Sequence, residues 1–151
     1  MLRLSKKADY ALMAMKHLAL SGDRGSSSAR EIAEQYDIPI ELLAKVLQRL
    51  VRRGLLASHQ GTRGGYQLAR VPAQISVADV IQAIDGPVAV TACSSEDGMC
   101  DQFAKCNVRH PLARVRERIL AALGECTIAE LAADETPTPA PTRAAVLHTH
   151  L

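Results

Sequence analysis

SAREIAEQYDIPIELLAKVLQRLVRRG, residues 28–54, is the stretch from which the fold is read. Ser28 followed three residues later by Glu31 is a capping box, in which each side chain satisfies a backbone N–H left without a partner at a helix start. A short helix therefore runs through Ile32 and Ala33 to about Tyr36. Asp37-Ile38-Pro39 leaves room only for a tight connection. Pro39 falls near the first turn of the next helix, where its missing N–H is no loss. Leu43, Val46, Leu47 and Leu50 repeat at helical spacing as that helix's buried stripe, and Gly54 ends it. Two short helices joined by such a turn make a helix-turn-helix, whose second member lies in the major groove of duplex DNA. The exposed face of that second helix offers Glu41, Lys45, Gln48, Arg49 and Arg52.

Downstream, Leu55 to His59 and Tyr66 to Ala69 read as short strands around the glycine-rich tip Gln60-Gly61-Thr62-Arg63-Gly64-Gly65. This hairpin is a wing, and Arg63 at its tip is placed to reach a phosphate or a narrow minor groove. Ser76 caps a further helix to Ile84, whose apolar face is Val77, Val80, Ile81 and Ile84, and Asp79 favours its positive end. Asp85-Gly86-Pro87 stops it. Upstream, Leu4, Ala8, Ala11, Met15 and Leu18 recur at spacings of four and three and make the opening segment an amphipathic helix, closed by SGDRGSS at 21–27. The fold class is mainly α with a small β wing: a winged helix-turn-helix over residues 1–87.

Charge supports an anionic partner for this part of the chain. Residues 1–70 hold twelve Lys and Arg against six Asp and Glu, whereas residues 71–151 hold six against ten, beneath a net charge of only +2. Such an asymmetry fits nucleic acid, though solvated helix faces alone could produce it. Aromatic content of 3% without Trp argues against single-strand binding by base stacking. No long apolar run and no secretory leader pattern occur, so the expected compartment is the cytoplasm, with no membrane partner.

Residues 88–107 form a cysteine loop without periodicity, in which Cys93-x6-Cys100-x5-Cys106 gathers three of the four cysteines. Thiolates on such a loop can converge on one soft metal centre. Three is an odd number for disulfides, which do not suit a cytosolic chain. The short Cys-x2-4-Cys knuckles of zinc sites are absent, which favours an iron-sulfur cluster over closed zinc. Pro111 then opens a long helix with apolar positions Leu112, Val115, Ile119, Ala122 and Cys126, a narrow seam suited to a partner helix. Residues 108–133 are accordingly a dimerisation helix and a final short helix capped by Thr127 and Glu130. Cys126 reads as a small buried hydrophobe on the seam. Residues 134–151 are a proline-rich disordered tail in which His148 and His150 face solvent.

The stretches MLRLSKKADYALMAMKHLA (1–19), IAEQYDIPIELLAKVLQRLVRRGLL (32–56), GTRGGYQLAR (61–70) and ISVADVIQAIDG (75–86), with the cysteine loop running into the long helix, together resemble one family. It is the Rrf-two family of winged-helix iron-sulfur regulators, the IscR and NsrR type, and especially its members that control the SUF iron-sulfur assembly operon. The resemblance covers residues 1 to about 133. It implies a transcription regulator, a repressor of iron-sulfur assembly or of redox and nitric oxide stress genes, that binds double-stranded operator DNA as a homodimer with the long helices crossed. It also implies a cluster, 2Fe-2S ahead of 4Fe-4S, on Cys93, Cys100 and Cys106. Relatives of the IscR kind carry a histidine three residues after the last cysteine. Arg109 stands there in this chain, and the histidine follows at His110. Relatives of the NsrR kind use a carboxylate of the first helix from the other subunit, where this chain has Asp9. Asp9 is the preferred fourth ligand and His110 the alternative. The candidate DNA contacts are Ser28, Pro39, Glu41, Lys45, Gln48, Arg49, Arg52, Arg63, Gly64 and Tyr66.

Two other readings use the same residues. One is a winged-helix regulator whose cysteines form a thiol switch or zinc clip, and the other is a small iron-sulfur electron carrier. An enzyme finds no support in a nucleophile-base pair, phosphate loop or cofactor fingerprint.

Overall fold

The computed structural model describes residues 3–62, 64–90 and 100–133. The expectations for Arg63, for Cys93 and for the tail at 134–151 lie outside the described residues. In chain order the elements are α1 (Lys6–Leu20), α2 (Ala29–Tyr36), α3 (Ile40–Arg52), β1 (Leu56–His59), β2 (Gly65–Leu68), α4 (Val77–Asp85), α5 (Arg109–Glu125) and α6 (Ile128–Ala133). Short 3-10 turns occur at Gly22–Arg24 and Pro72–Gln74.

The Ser5 hydroxyl caps α1 by accepting the Ala8 N–H at 3.1 Å. The expected stripe begins at Leu4, but the helix starts at Lys6 and Leu4 lies outside it, exposed. Ala8, Ala11, Ala14, Met15 and Leu18 are buried, and the three alanines put little bulk on that face, so α3, α4 and α6 all pack against it. The Ser28–Glu31 capping box closes in both directions at 3.1 Å. Asp37, left-handed at φ 52°, ends α2, with the Ile38 N–H donating to the Ala33 carbonyl at 3.0 Å. Leu43, Val46, Leu47 and Leu50 are the buried residues of α3, as the spacing predicts. Past its end, the Gly54 N–H donates to Val51 and the Leu55 N–H to Leu50, each at 3.0 Å, a Schellman closure that Gly54 permits at φ +76°.

The hairpin is antiparallel, pairing Leu56 with Leu68 and His59 with Gly65. Its second strand has a further neighbour. The Ser27 N–H donates to the Tyr66 carbonyl at 3.0 Å and the Tyr66 N–H to the Ser27 carbonyl at 2.8 Å, so β2 is fastened to the residue just before the α2 cap. A Cβ at Gly65 would sit 2.5 Å from the Ser27 carbonyl oxygen, and one at Gly64 would sit 2.6 Å from that of His59. Both glycines are therefore required by close backbone approach.

The C-terminal helices join the same core. Residues Ser76 and Thr127 form an antiparallel bridge: the Val77 N–H donates to Cys126 at 2.8 Å and the Ile128 N–H to Ile75 at 2.9 Å. This seats α6 against α1, and Ile128 is fully buried with Met15, Leu43 and Leu47. In α5, Leu120 and Leu123 pack on Val77, Ile81 and Val88. The inner face of the long helix is thus Leu120 and Leu123, offset from the seam expected from spacing. Cys126 turns inward with them, while Leu112, Val115, Ile119 and Ala122 stay exposed or half-exposed; no residue of α5 is fully buried. Pro111 is the third residue of α5, where the N–H it lacks has no helical partner to lose.

Candidate functional site

Glu41, Lys45, Gln48 and Arg52 lie three and four residues apart along α3 and all are exposed. Between this stripe and the wing runs an open groove of about 600 Å³, to whose lining Gln48 and Arg52 contribute from α3, Gly64 and Tyr66 from the hairpin, and Ser28 from the start of α2. Ser58, His59 and Gln60 also line it. Sequence reading missed these three, because a short strand announces its outward face only once the register with β2 is known. A second depression, between α1 and α3, brings Lys7 beside Lys45 and Arg52. Lys7 belongs to this cationic face through tertiary packing alone.

The sequence-predicted contacts differ in how free they are. Lys45, Gln48 and Arg52 project from α3 with no hydrogen-bond partner among the described residues. Pro39 is exposed at the α3 cap. The Ser28 hydroxyl is engaged by the Glu31 N–H, and the Tyr66 backbone by Ser27. Arg49 is exposed on the same helix and lines the depression with Lys7, and its Nε donates to the Ala83 carbonyl of α4 at 2.7 Å.

Cys100 and Cys106 are free, half-exposed thiols on the irregular segment before α5. The Phe103 N–H donates to the Cys100 carbonyl at 3.0 Å, and the Arg109 guanidinium lies 4.2 Å from the Phe103 ring centre, folding the turn back on the first residue of α5. His110 is exposed in the first turn of α5 rather than at its cap, which is Val108. Asp9 is half-exposed on α1 beside Lys6 at 3.9 Å, a contact too long and too solvated to commit it. Neither Asp9 nor His110 gathers with Cys100 and Cys106 within one chain, as no cluster of three or more His, Cys, Asp or Glu occurs among the described residues.

Cys126 is set apart chemically. Burial pushes its thiol pKa up, and the nearby Glu130 carboxylate, which also accepts a hydrogen bond from it, raises it further. Since the thiolate is the metal-binding form, this shift disfavours Cys126 as a ligand. The donors that remain among the described residues, the soft sulfurs of Cys100 and Cys106 on a half-exposed turn, suit iron-sulfur chemistry.

Comparison with known proteins agrees with this geometry. The Rrf2 family, described as an iron-dependent transcriptional regulator, matches residues 4–134. The HTH-type transcriptional regulator IscR of Xenorhabdus nematophila is 37% identical over 131 residues, covering 86% of this chain and 79% of the relative. Among solved structures, CymR, the global cysteine regulator of B. subtilis, superposes with a TM-score of 0.72 at 29% identity, covering 88% of this chain and 98% of that one. IscR of T. potens superposes with a TM-score of 0.71 at 28% identity, covering 88% of each. These relatives are transcriptional regulators, not enzymes.

Proposed function

This chain belongs to the Rrf2 family of transcriptional regulators, and from that premise we propose that it is a cytoplasmic, homodimeric repressor whose affinity for operator DNA depends on an iron-sulfur cluster. The genes it would control are those of iron-sulfur assembly or of redox and nitric oxide stress. The observation that carries the cluster reading is placement: Cys100 and Cys106 are free thiols on one turn of the irregular segment before α5, while Cys126, just as half-exposed, lies past the far end of α5 and packs on Val77, Ile81 and Val88. No helix among the described residues is long and apolar enough to cross a membrane.

In this reading Cys93, Cys100 and Cys106 hold a cluster, 2Fe-2S in preference to 4Fe-4S. When bound it supplies an iron centre sensitive to oxidants and nitric oxide between α4 and α5. Asp9 is the preferred fourth ligand, reaching across from the other protomer, a reading supported by its half-exposed carboxylate, which is held only by a weak ion pair to Lys6. His110, four residues beyond Cys106 in the same chain, is the second reading. Lys45, Gln48 and Arg52, with Arg63 of the wing, contact the duplex; Ser28, Pro39, Glu41, Gly64 and Tyr66 border that surface. The exposed side of α5 meets the same side of a second copy.

Iron content and visible absorption of anaerobically purified protein test this. Single replacement of Cys93, Cys100 or Cys106 by Ala is expected to abolish the colour and the iron, whereas Cys126→Ala retains both. Equal iron loss in all four variants would refute the ligand assignment, and a colourless wild type containing zinc would favour the zinc clip. Loaded and iron-free protein should differ in duplex affinity by at least about tenfold, or ~1.4 kcal/mol, at one fixed salt concentration. Asp9→Ala, and not His110→Ala, should alter the spectrum.

A further inference from the structure

In an α-helix each carbonyl accepts the N–H four residues on. For Ala83, in the last turn of α4, that residue is Pro87, which has no N–H. The preceding carbonyl, Gln82, is satisfied by the Gly86 N–H at 3.0 Å, and Gly86 then turns the chain away at φ +78°. The donor Ala83 lacks comes from another element, since Arg49 on α3 donates its Nε to that carbonyl at 2.7 Å in a partly buried setting. A guanidinium suits the position, because the C-terminus of a helix carries partial negative charge and a charged donor bonds about twice as strongly as a neutral one.

The same turn of α4 holds two further elements. The Asp85 carboxylate accepts the N–H and hydroxyl of Ser5 at the start of α1, and the Val88 carbonyl accepts the Arg116 Nε of α5 at 3.3 Å. In the sequence, four residues, Ala89 to Ala92, separate Val88 from Cys93.

We propose that Arg49 is a positioning residue for the DNA-reading helix: it fixes α3 against the end of α4 by supplying the donor that Pro87 cannot, and it does not contact phosphate. The proposal rests on α3 being the DNA-contacting helix. Its consequence is that the angle of α3 follows the end of α4, where the chain departs for the cysteines.

The test uses the full chain, a duplex that the wild type recovers from a randomised pool, and a salt series. Arg49→Lys keeps the positive charge but moves the nitrogen one bond further along the side chain, so a phosphate contact survives it and the bond to Ala83 does not. Arg49→Lys and Arg49→Gln are both expected to weaken binding about tenfold, as for loss of one charged hydrogen bond, with the wild-type dependence on salt. Arg52→Gln, by contrast, should lower the salt slope by about one. Wild-type affinity in Arg49→Lys, or a slope lowered by about one in Arg49→Gln, overturns the proposal. Should Arg52→Gln and Lys45→Gln bind as wild type, α3 itself is not the DNA-contacting helix, a failure distinct from that of Arg49.

Discussion

At the scale of single residues, the contact between His17 and Tyr36 shows how a polar pair is used inside this small core. His17 Nδ1 lies 2.9 Å from the Tyr36 hydroxyl, their rings meet edge to face at 5.5 Å, and Gln35 Nε2 donates to the same hydroxyl. Burial lowers the His17 pKa below its ordinary value of 6.5, and the Glu31 carboxylate opposes this only in part. A histidine whose folded pKa is depressed contributes stability that is present above its unfolded pKa and lost as pH falls through the folded one. Thermal stability should therefore decline as pH drops below about 6.5, and His17→Gln should flatten that decline. Equal pH dependence in wild type and variant would assign the effect to other groups. Neither partner of this pair stands out in the sequence. His17 is the sole histidine on an otherwise ordinary amphipathic helix, and what gives it a role is the approach of Tyr36 from a helix that begins after an intervening turn.

At the scale of elements, the helix-turn-helix was legible because its signals are local: a cap at Ser28, a four-residue apolar stripe in α3, a stop at Gly54. The attachment of the wing was not. Gly64 and Gly65 announce a turn, but that β2 also pairs with Ser27 depends on where α2 begins relative to the hairpin. Gly65→Ala should therefore act well beyond the turn. Its Cβ would force β2 away from Ser27 and break two backbone hydrogen bonds, a cost of about 2 kcal/mol, and it should reduce duplex affinity because the wing and the α2 start move apart. Thermal unfolding and a binding titration of that variant check this; wild-type values in both would mean the bridge contributes nothing. The turn at Phe103 and Arg109 was likewise unreadable, since no periodicity links an arginine to an aromatic ring six residues earlier in an irregular segment.

At the scale of the whole molecule, α5 is the element whose environment is unfinished in one chain. Leu120 and Leu123 attach it to Val77, Ile81 and Val88, yet Val115 remains 43% exposed, and Leu112, Ile119 and Ala122 share its side of the helix. Burying that side against a second copy would remove it from water at roughly 25 cal/mol per Å². Val115→Asp with Ile119→Asp is expected to give a folded monomer by sedimentation, with operator affinity lowered because two half-sites can no longer be held together. A dimer of unchanged stability would place the interface elsewhere. The sequence by itself determined the winged helix-turn-helix and the extent of its helices to within a residue or two, because caps, stops and periodicity are written within a few residues of one another. Only the tertiary structure decided which side of α5 turns inward, that α6 completes the core beneath α1, and that Arg49 is bound to α4. Each of those depends on residues such as Ile75 and Ile128, or Arg49 and Ala83, that meet only after the chain has folded back, and no local pattern records the meeting.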